Sequence, residues 1–439
     1  MTFLKRLVGH GNVLFKIMFQ KTESIESLKS LQEEWNTKGQ TFATEINTMV
    51  EFGETNGWEN WKGKEPVDNR DHLAARVLSL LKEANKNGKT EEFRSRFAPA
   101  HAPFISIFES QGQHVENLCF INDNKIAFVI GSAHQKRQAY TLTNRTVEKL
   151  SNNIRSIGKS HYNEIFAIAE NRKVTTYKGW EGKVIHEFPL HDVGDLPIDK
   201  LIPFNDGSSV LLVSSEGIYL LTTKGNSMIH PIPDPEDNEW TSSIDMEHAA
   251  LSPDNKFIAV GDQCSEHRIL DFTGIEIAEI GPQSSYPHYA TFSKDSVQVV
   301  LNSCHFYNGI TIGISTDQIH GLKIQAYSED DRYTVIDEDC RVYAAVSTSD
   351  YYIFGDAGGY IKAFYKDGRK AWRYFLGSTI TGITISDDEK TLWVASCTGI
   401  IHKLKLDAGQ RDNHTIGTGN HYEEFRIIFW KNESDPLIW

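Results

Sequence analysis

Apolar positions along the chain change their period near residue 100. Before it, Ile25, Leu28, Leu31 and Trp35 recur at three- and four-residue steps, the spacing that lines one face of an α-helix. Thr22 stands where an N-cap belongs and Gly39 where such a helix would stop. A second helix is predicted from Asp71 to about Asn87, with Leu73, Val77, Leu80, Leu81 and Ala84 as its buried stripe and Gly88 in the C-cap position. Between the two lies an aromatic, turn-rich stretch with Trp58 and Trp61. The segment from Ala98 to Pro103 reads as a short stiff connector, because proline fixes its own torsion and restricts its neighbour. Residues 1–100 are therefore taken as a helical region.

After the connector, short strands with turn punctuation take over, and they repeat. LSPDNKFIAVG from Leu251, FSKDSVQVVLN from Phe292 and ISDDEKTLWVAS from Ile385 share one frame. Each has an apolar strand end, a serine, a polar turn containing aspartate, and a second apolar strand. Weaker copies place the turn-opening residues at Asn122, Ser160, Asn205, Ser252, Ser293, Ser347 and Ser386, at spacings of 38, 45, 47, 41, 54 and 39. A third strand often follows, then a turn such as Lys366-Asp367-Gly368 and a fourth strand. Units of about 40 residues with four antiparallel strands are the signature of β-propeller blades. One such sheet cannot bury both of its faces, whereas a closed ring of them can. The fold expected is mainly β, a seven-bladed β-propeller over residues 104–430, with an N-terminal α-helical extension and an aromatic tail at 431–439. The widest interval, before Ser347, holds the polar insert QAYSEDDRYTVIDEDCR, read as a protruding loop or an extended outer strand. Either the strand-like segment from Phe104 or HYEEFRIIFW from His421 would complete the last blade.

The SPD-x-K-aliphatic-aliphatic-A phrase at Leu251 and the DG-x-x-x-W turn at Asp367 resemble the WD40 and quinoprotein-like β-propeller superfamilies. The resemblance covers roughly residues 104–430 and is one of fold. The Gly-His and Trp-Asp dipeptides that mark WD40 blades are absent from all seven units, so no catalytic residue is carried over. It implies a platform for protein interaction more readily than an enzyme.

Charge narrows the partner. The chain carries 45 basic and 59 acidic side chains. Residues 1–100 hold 15 and 14 of these, against 30 and 45 in the remainder, so the acidity belongs to the propeller. A nucleic-acid partner is not expected, because such affinity rests on neutralising phosphates; a basic protein is. The five cysteines, Cys119, Cys264, Cys304, Cys340 and Cys397, are scattered and form no CxxC pair. With His10, Asn12 and Lys16 interrupting any secretory apolar core, a cytoplasmic protein is expected. Residues 1–20 have an apolar helical face with Lys5, Arg6 and Lys16 elsewhere. That pattern fits packing on the ring, docking in a partner groove, or contact with an anionic membrane.

No Walker A, GxSxG or HExxH sequence occurs, and no cofactor is implied. Loops joining second to third strands should emerge on one rim, bringing His134, Asp262, Glu266, His267, His305 and Tyr307 to a ligand or partner surface. Cys264, His267, Cys304 and His305 are the soft sulfur and imidazole groups a zinc ion would use, weighed against plain packing cysteines. Arg155, Lys200, Glu247 and His288 fall at one aligned inner-strand position and are read as channel-lining. The leading expectation is an interaction scaffold or an inhibitory, immunity-like binding protein using the rim of an acidic propeller. The competing class is an enzyme or a small-molecule or metal-binding propeller using the channel mouth or the Cys/His rim.

Overall fold

The computed structural model describes residues 4–191, 196–233, 236, 240–306, 308–409 and 411–439, with side chains from residue 26 onward. The chain forms two compact units: Met1–Ile105 with Asp412–Ile416 and Trp439, and Ser106–Arg411 with Gly417–Ile438. The apolar face expected within residues 1–20 lies outside the described side chains. Among the described residues no helix is long and apolar enough to cross a membrane.

In the first unit, helix α1 (Leu4–Asn56) runs straight through both Thr22 and Gly39, so neither is a terminus. Gly39 is there for closeness instead: a Cβ on it would lie 2.5 Å from the Arg70 guanidinium. That guanidinium is buried, paired with Asp68 and laid over the Trp35 ring at 4.7 Å. Helix α2 (Asp71–Lys86) forms as its stripe predicts, burying Leu73, Val77, Leu81 and Ala84. It ends at Gly88, whose φ of 65° is left-handed backbone. Helix α3 (Thr90–Arg96) adds Phe93 to the same core. Trp439 completes it, its ring 6.3 Å from Trp35 and 5.6 Å from both Phe93 and Phe104. Its indole N–H donates to the Phe97 carbonyl at 2.9 Å.

The second unit is a seven-bladed propeller, and the strands of each blade are hydrogen-bonded in chain order. The blades span residues 115–149, 156–189, 198–230, 248–280, 286–337, 342–375 and 380–428. Alternation along the strands explains the ring, since successive side chains point to opposite faces of a sheet. In blade four, Leu251, Ile258 and Val260 pack with blade three, while Ala250, Ala259 and Ile269 pack with blade five. Among the described residues, seven such buried clusters fill the seven gaps between blades. Blade one meets blade seven through Phe120, Phe128, Trp393 and Phe425. Thr381 Oγ1 donates to the Val115 carbonyl at 2.6 Å across the same joint.

The repeated serine has a mechanical role. Ser252, Ser293 and Ser386 each accept, at the hydroxyl, the backbone N–H five residues on, at 2.9–3.0 Å. Ser160 does the same for Ile165. In blade six that role falls to Thr348, one residue beyond the predicted Ser347. In blade three Phe204 closes the hairpin, one residue before Asn205.

Of the two segments expected to complete the last blade, the one from His421 does so and the one from Phe104 does not. The segment from Phe104 is not a strand but helix α4 (Ile105–Gln111), since Phe104 and Phe108 are buried four residues apart, a helical step. The fourth strand of blade seven is Tyr422–Ile428, and Leu437–Ile438 adds a fifth. The insert does supply blade five's outer strand, Tyr333–Asp337. Its approach does not protrude: Ile319, Leu322 and Ile324 are buried between blades four and five, and Lys323–Ile324 pairs in parallel with blade four.

Candidate functional site at one mouth of the channel

The first strands of the blades line the ring's axis, so the two ends of that channel are made of different loops. At the end where first and second strands turn, the tip of blade two reaches across. His161 Nε2 lies 3.0 Å from the Leu251 carbonyl of blade four, and the Tyr162 hydroxyl donates to the Lys294 carbonyl of blade five at 3.0 Å. Asn205 is held by blade four's turn through Asn255 and Pro253, and Lys294 pairs with Glu389 of blade seven. That end is laced together by its own turns.

The opposite end, where the inner strands begin, gathers carboxylates. Glu247, half-buried beside the inner strand of blade four, has its carboxyl pushed up to about 7. Lost hydration is the main cause, followed by repulsion from Asp199, Asp245 and Asp262. Asp199 is likewise raised, by lost hydration and then by Glu116, against the pull of Arg137 and Lys200. Arg137 is a buried cation on this side: it pairs with Glu116, lies 3.6 Å from Asp199, and donates to the Ile198 and Arg155 carbonyls.

Behind the mouth sit buried imidazoles. His248 Nε2 and His267 Nδ1 are 3.1 Å apart, so one must donate and the other accept. The other His267 nitrogen lies 3.3 Å from Ser303 Oγ. Burial pulls His248 down to about 3, and burial with the His248 charge pulls His267 well below its ordinary value. His230 lies against Asp262, and Arg268 reaches both His230 and Glu276. Burial alone would raise the Asp262 carboxyl, but the His230 hydrogen bond and the Cys264 N–H hold it below its usual value.

The blade-five side of the mouth is aromatic. Tyr286 is 39% exposed, Tyr343 36% and Phe306 71%. Arg341 joins Phe306 and Tyr343: its Nη1 donates to the Phe306 carbonyl at 2.7 Å, its Nε to His288 Nε2 at 3.3 Å, and its guanidinium lies 5.0 Å over the Tyr343 ring. Its Nη2 is 3.7 Å from Met246 Sδ, which places this aromatic side directly beside the loop carrying Asp245 and Glu247.

The predicted residues are thus distributed unevenly. His134 and Arg155 meet in a cleft of about 860 Å³ formed by blades one to three, with Lys136, Asn171 and Glu216 also on its walls. Lys200 reaches across the channel to lie 5.7 Å over the Tyr289 ring of blade five. His288 is buried with Nδ1 2.7 Å from the Val342 carbonyl, held between blades rather than lining the channel openly. Burial and the Arg341 charge lower it to about 4. Asp262 is buried against His230 and His267 against His248, whereas Glu266 and His305 are exposed. Tyr307 lies outside the described residues. Cys264 is exposed and Cys304 is buried. Among the described residues no three His, Cys, Asp or Glu side chains are placed to hold a metal ion, Cys264, His267, Cys304 and His305 included.

Asp199, Arg137 and Arg341 were not singled out by sequence. Arg137 precedes a third strand, and Arg341 lies six residues before Ser347 where Lys200 and Glu247 lie five before their turn residues, so the inner-strand alignment does not catch them. Asp199 precedes Lys200 by one residue and was within reach of it.

No family model matches the chain, and no curated protein does. Among solved structures, the crystal structure of the mitotic checkpoint complex is similar to it at 12% identity, over 62% of this chain and 76% of that chain, with a TM-score of 0.43.

Proposed function

We propose that this propeller is a protein-binding module and that its partner, basic in character, docks at the carboxylate-lined mouth. The observation that carries the reading is the asymmetry of the two ends. At one, the turns of blades two to five hydrogen-bond to one another; at the other, Glu247 stands among like charges beside exposed aromatic side chains. Crowded carboxylates repel one another, and a partner's cation relieves that repulsion while speeding association. Aromatic and arginine side chains are the types that dominate binding energy at interfaces. Both a scaffold and an inhibitory, immunity-like binder act in this way. Five free cysteines, three of them buried, support a reducing, cytoplasmic setting.

The test compares the wild-type protein with the double variant Glu247→Gln, Asp199→Asn, each immobilised and exposed to native extract at low and high salt. Retained proteins are quantified by mass spectrometry. Basic proteins held by wild type at low salt, shed at high salt and depleted on the variant are expected. Equal retention on both forms contradicts the reading.

A second reading rests on the cleft where His134 and Arg155 meet. Its volume is that of a small-molecule site, and it would suit a polar metabolite. A thermal-shift screen of metabolites checks it: a stabilising compound whose effect disappears in Arg155→Ala supports it, and no stabilising compound counts against it.

A further inference from the structure

Blade five carries a turn that its own fold does not favour. Its middle hairpin joins Gln298–His305 to Asn308–Ser315, and His305 pairs directly with Asn308, leaving two residues to make the turn. Two-residue hairpin turns take Asn-Gly or Asp-Gly, because their central residues need positive φ. This chain places Phe306 at the first of those two positions. Phe306 stands at a φ of 54°, a left-handed conformation that is strained for a bulky side chain. It is also 71% exposed, with its ring edge-on to that of the adjoining His305 at 4.4 Å.

The tip is nevertheless held in place. Arg341 Nη1 fixes the Phe306 carbonyl at 2.7 Å, and the same guanidinium touches Met246, the residue between Asp245 and Glu247. An exposed, anchored aromatic therefore stands next to a carboxylate whose neighbours are other carboxylates. Strain retained at an exposed side chain is the kind of feature that binding, and not folding, accounts for.

We infer that the Phe306 tip and Glu247 form the two halves of one docking site, which takes an extended partner segment carrying an apolar residue next to a lysine or arginine. The apolar residue covers Phe306 and the cation faces Glu247. The inference rests on the protein-binding reading above and gives it an address and a partner chemistry.

The probe is a phage-displayed library of short linear peptides, panned on the full chain. Enriched peptides are then synthesised, and their affinities are measured for wild type, Phe306→Asn and Glu247→Gln. Asparagine suits the turn, so Phe306→Asn is expected to keep or raise the thermal midpoint while weakening peptide binding by about tenfold or more. Glu247→Gln is expected to weaken peptides containing lysine and to leave their Lys→Gln counterparts unchanged. Enriched peptides lacking a basic residue, or affinities untouched by Phe306→Asn, overturn the inference. Peptides that bind wild type and both variants alike remove this site and leave protein binding elsewhere on the ring standing. A library without binders, together with no proteins retained from native extract, removes both.

Discussion

A histidine sealed inside a β-sheet folds in its neutral form, and here three of them do so around one blade junction. His248, His267 and His288 are all buried, and burial holds each of them far below the ordinary histidine value. Asp262 with His230, and Arg341 beside His288, are the charged groups facing them. The unfolded chain takes up these protons near pH 6.5, whereas the folded chain does not. The contribution of these histidines is therefore complete above that value and falls with pH through 6.5 towards 4, by about 1.4 kcal/mol per pH unit for each, opposed in part by the raised carboxyls of Glu247 and Asp199, which favour the folded chain as pH falls. Urea unfolding should show a midpoint that drops sharply from about pH 7 to about pH 5, and His267→Gln should flatten the drop. A midpoint constant over that range contradicts the neutral assignment. At this scale much was legible: Ser252, Ser293 and Ser386 were picked out by repetition, and each caps its turn. The Phe306 tip was not, because its meaning comes from backbone geometry and exposure rather than from residue type.

Helix α1 shows how an element can be read correctly in kind and wrongly in extent. Its apolar steps identify a helix, but Gly39, which sequence places as a stop, is a slot for Arg70. A glycine inside an exposed helix is improved by alanine, by about 1 kcal/mol. Gly39→Ala should do the opposite, since the buried Arg70 is held by Asp68 and Trp35 and has little room to retreat. Circular dichroism melting of the variant checks this, and a raised midpoint would show that Arg70 yields. Trp439→Ala should cost the helical unit about 3–5 kcal/mol, the usual price of emptying a large aromatic site. Protease cleavage within α2 and α3 should accelerate while amide protection in the blades stays unchanged; equal effects in both units contradict the assignment of Trp439 to the helical core. The same limit governs the segment from Phe104. Alternating apolar letters fit a strand or a helix over so short a run, and only burial at a four-residue step decides for α4.

For the whole molecule, the repeat spacing was enough to give seven blades, because each blade needs a neighbour on both faces. What spacing cannot convey is which groups meet at each end of the ring. That depends on contacts such as Tyr162 with Lys294, which join blades far apart in the chain. The charge imbalance pointed to an acidic propeller, and the structure gathers five of its carboxylates, Glu116, Asp199, Asp245, Glu247 and Asp262, near the mouth. The most direct test of the account places a photo-activated cross-linking residue at Tyr286 in one variant and at Val297 in another. Tyr286 opens the first strand of blade five and Val297 lies in the turn that follows that strand, and both are exposed. Irradiated in native extract, the Tyr286 variant is predicted to yield discrete covalent adducts with basic proteins and the Val297 variant none. Adducts from Val297 alone, or the same adducts from both, would contradict a partner docked at the mouth.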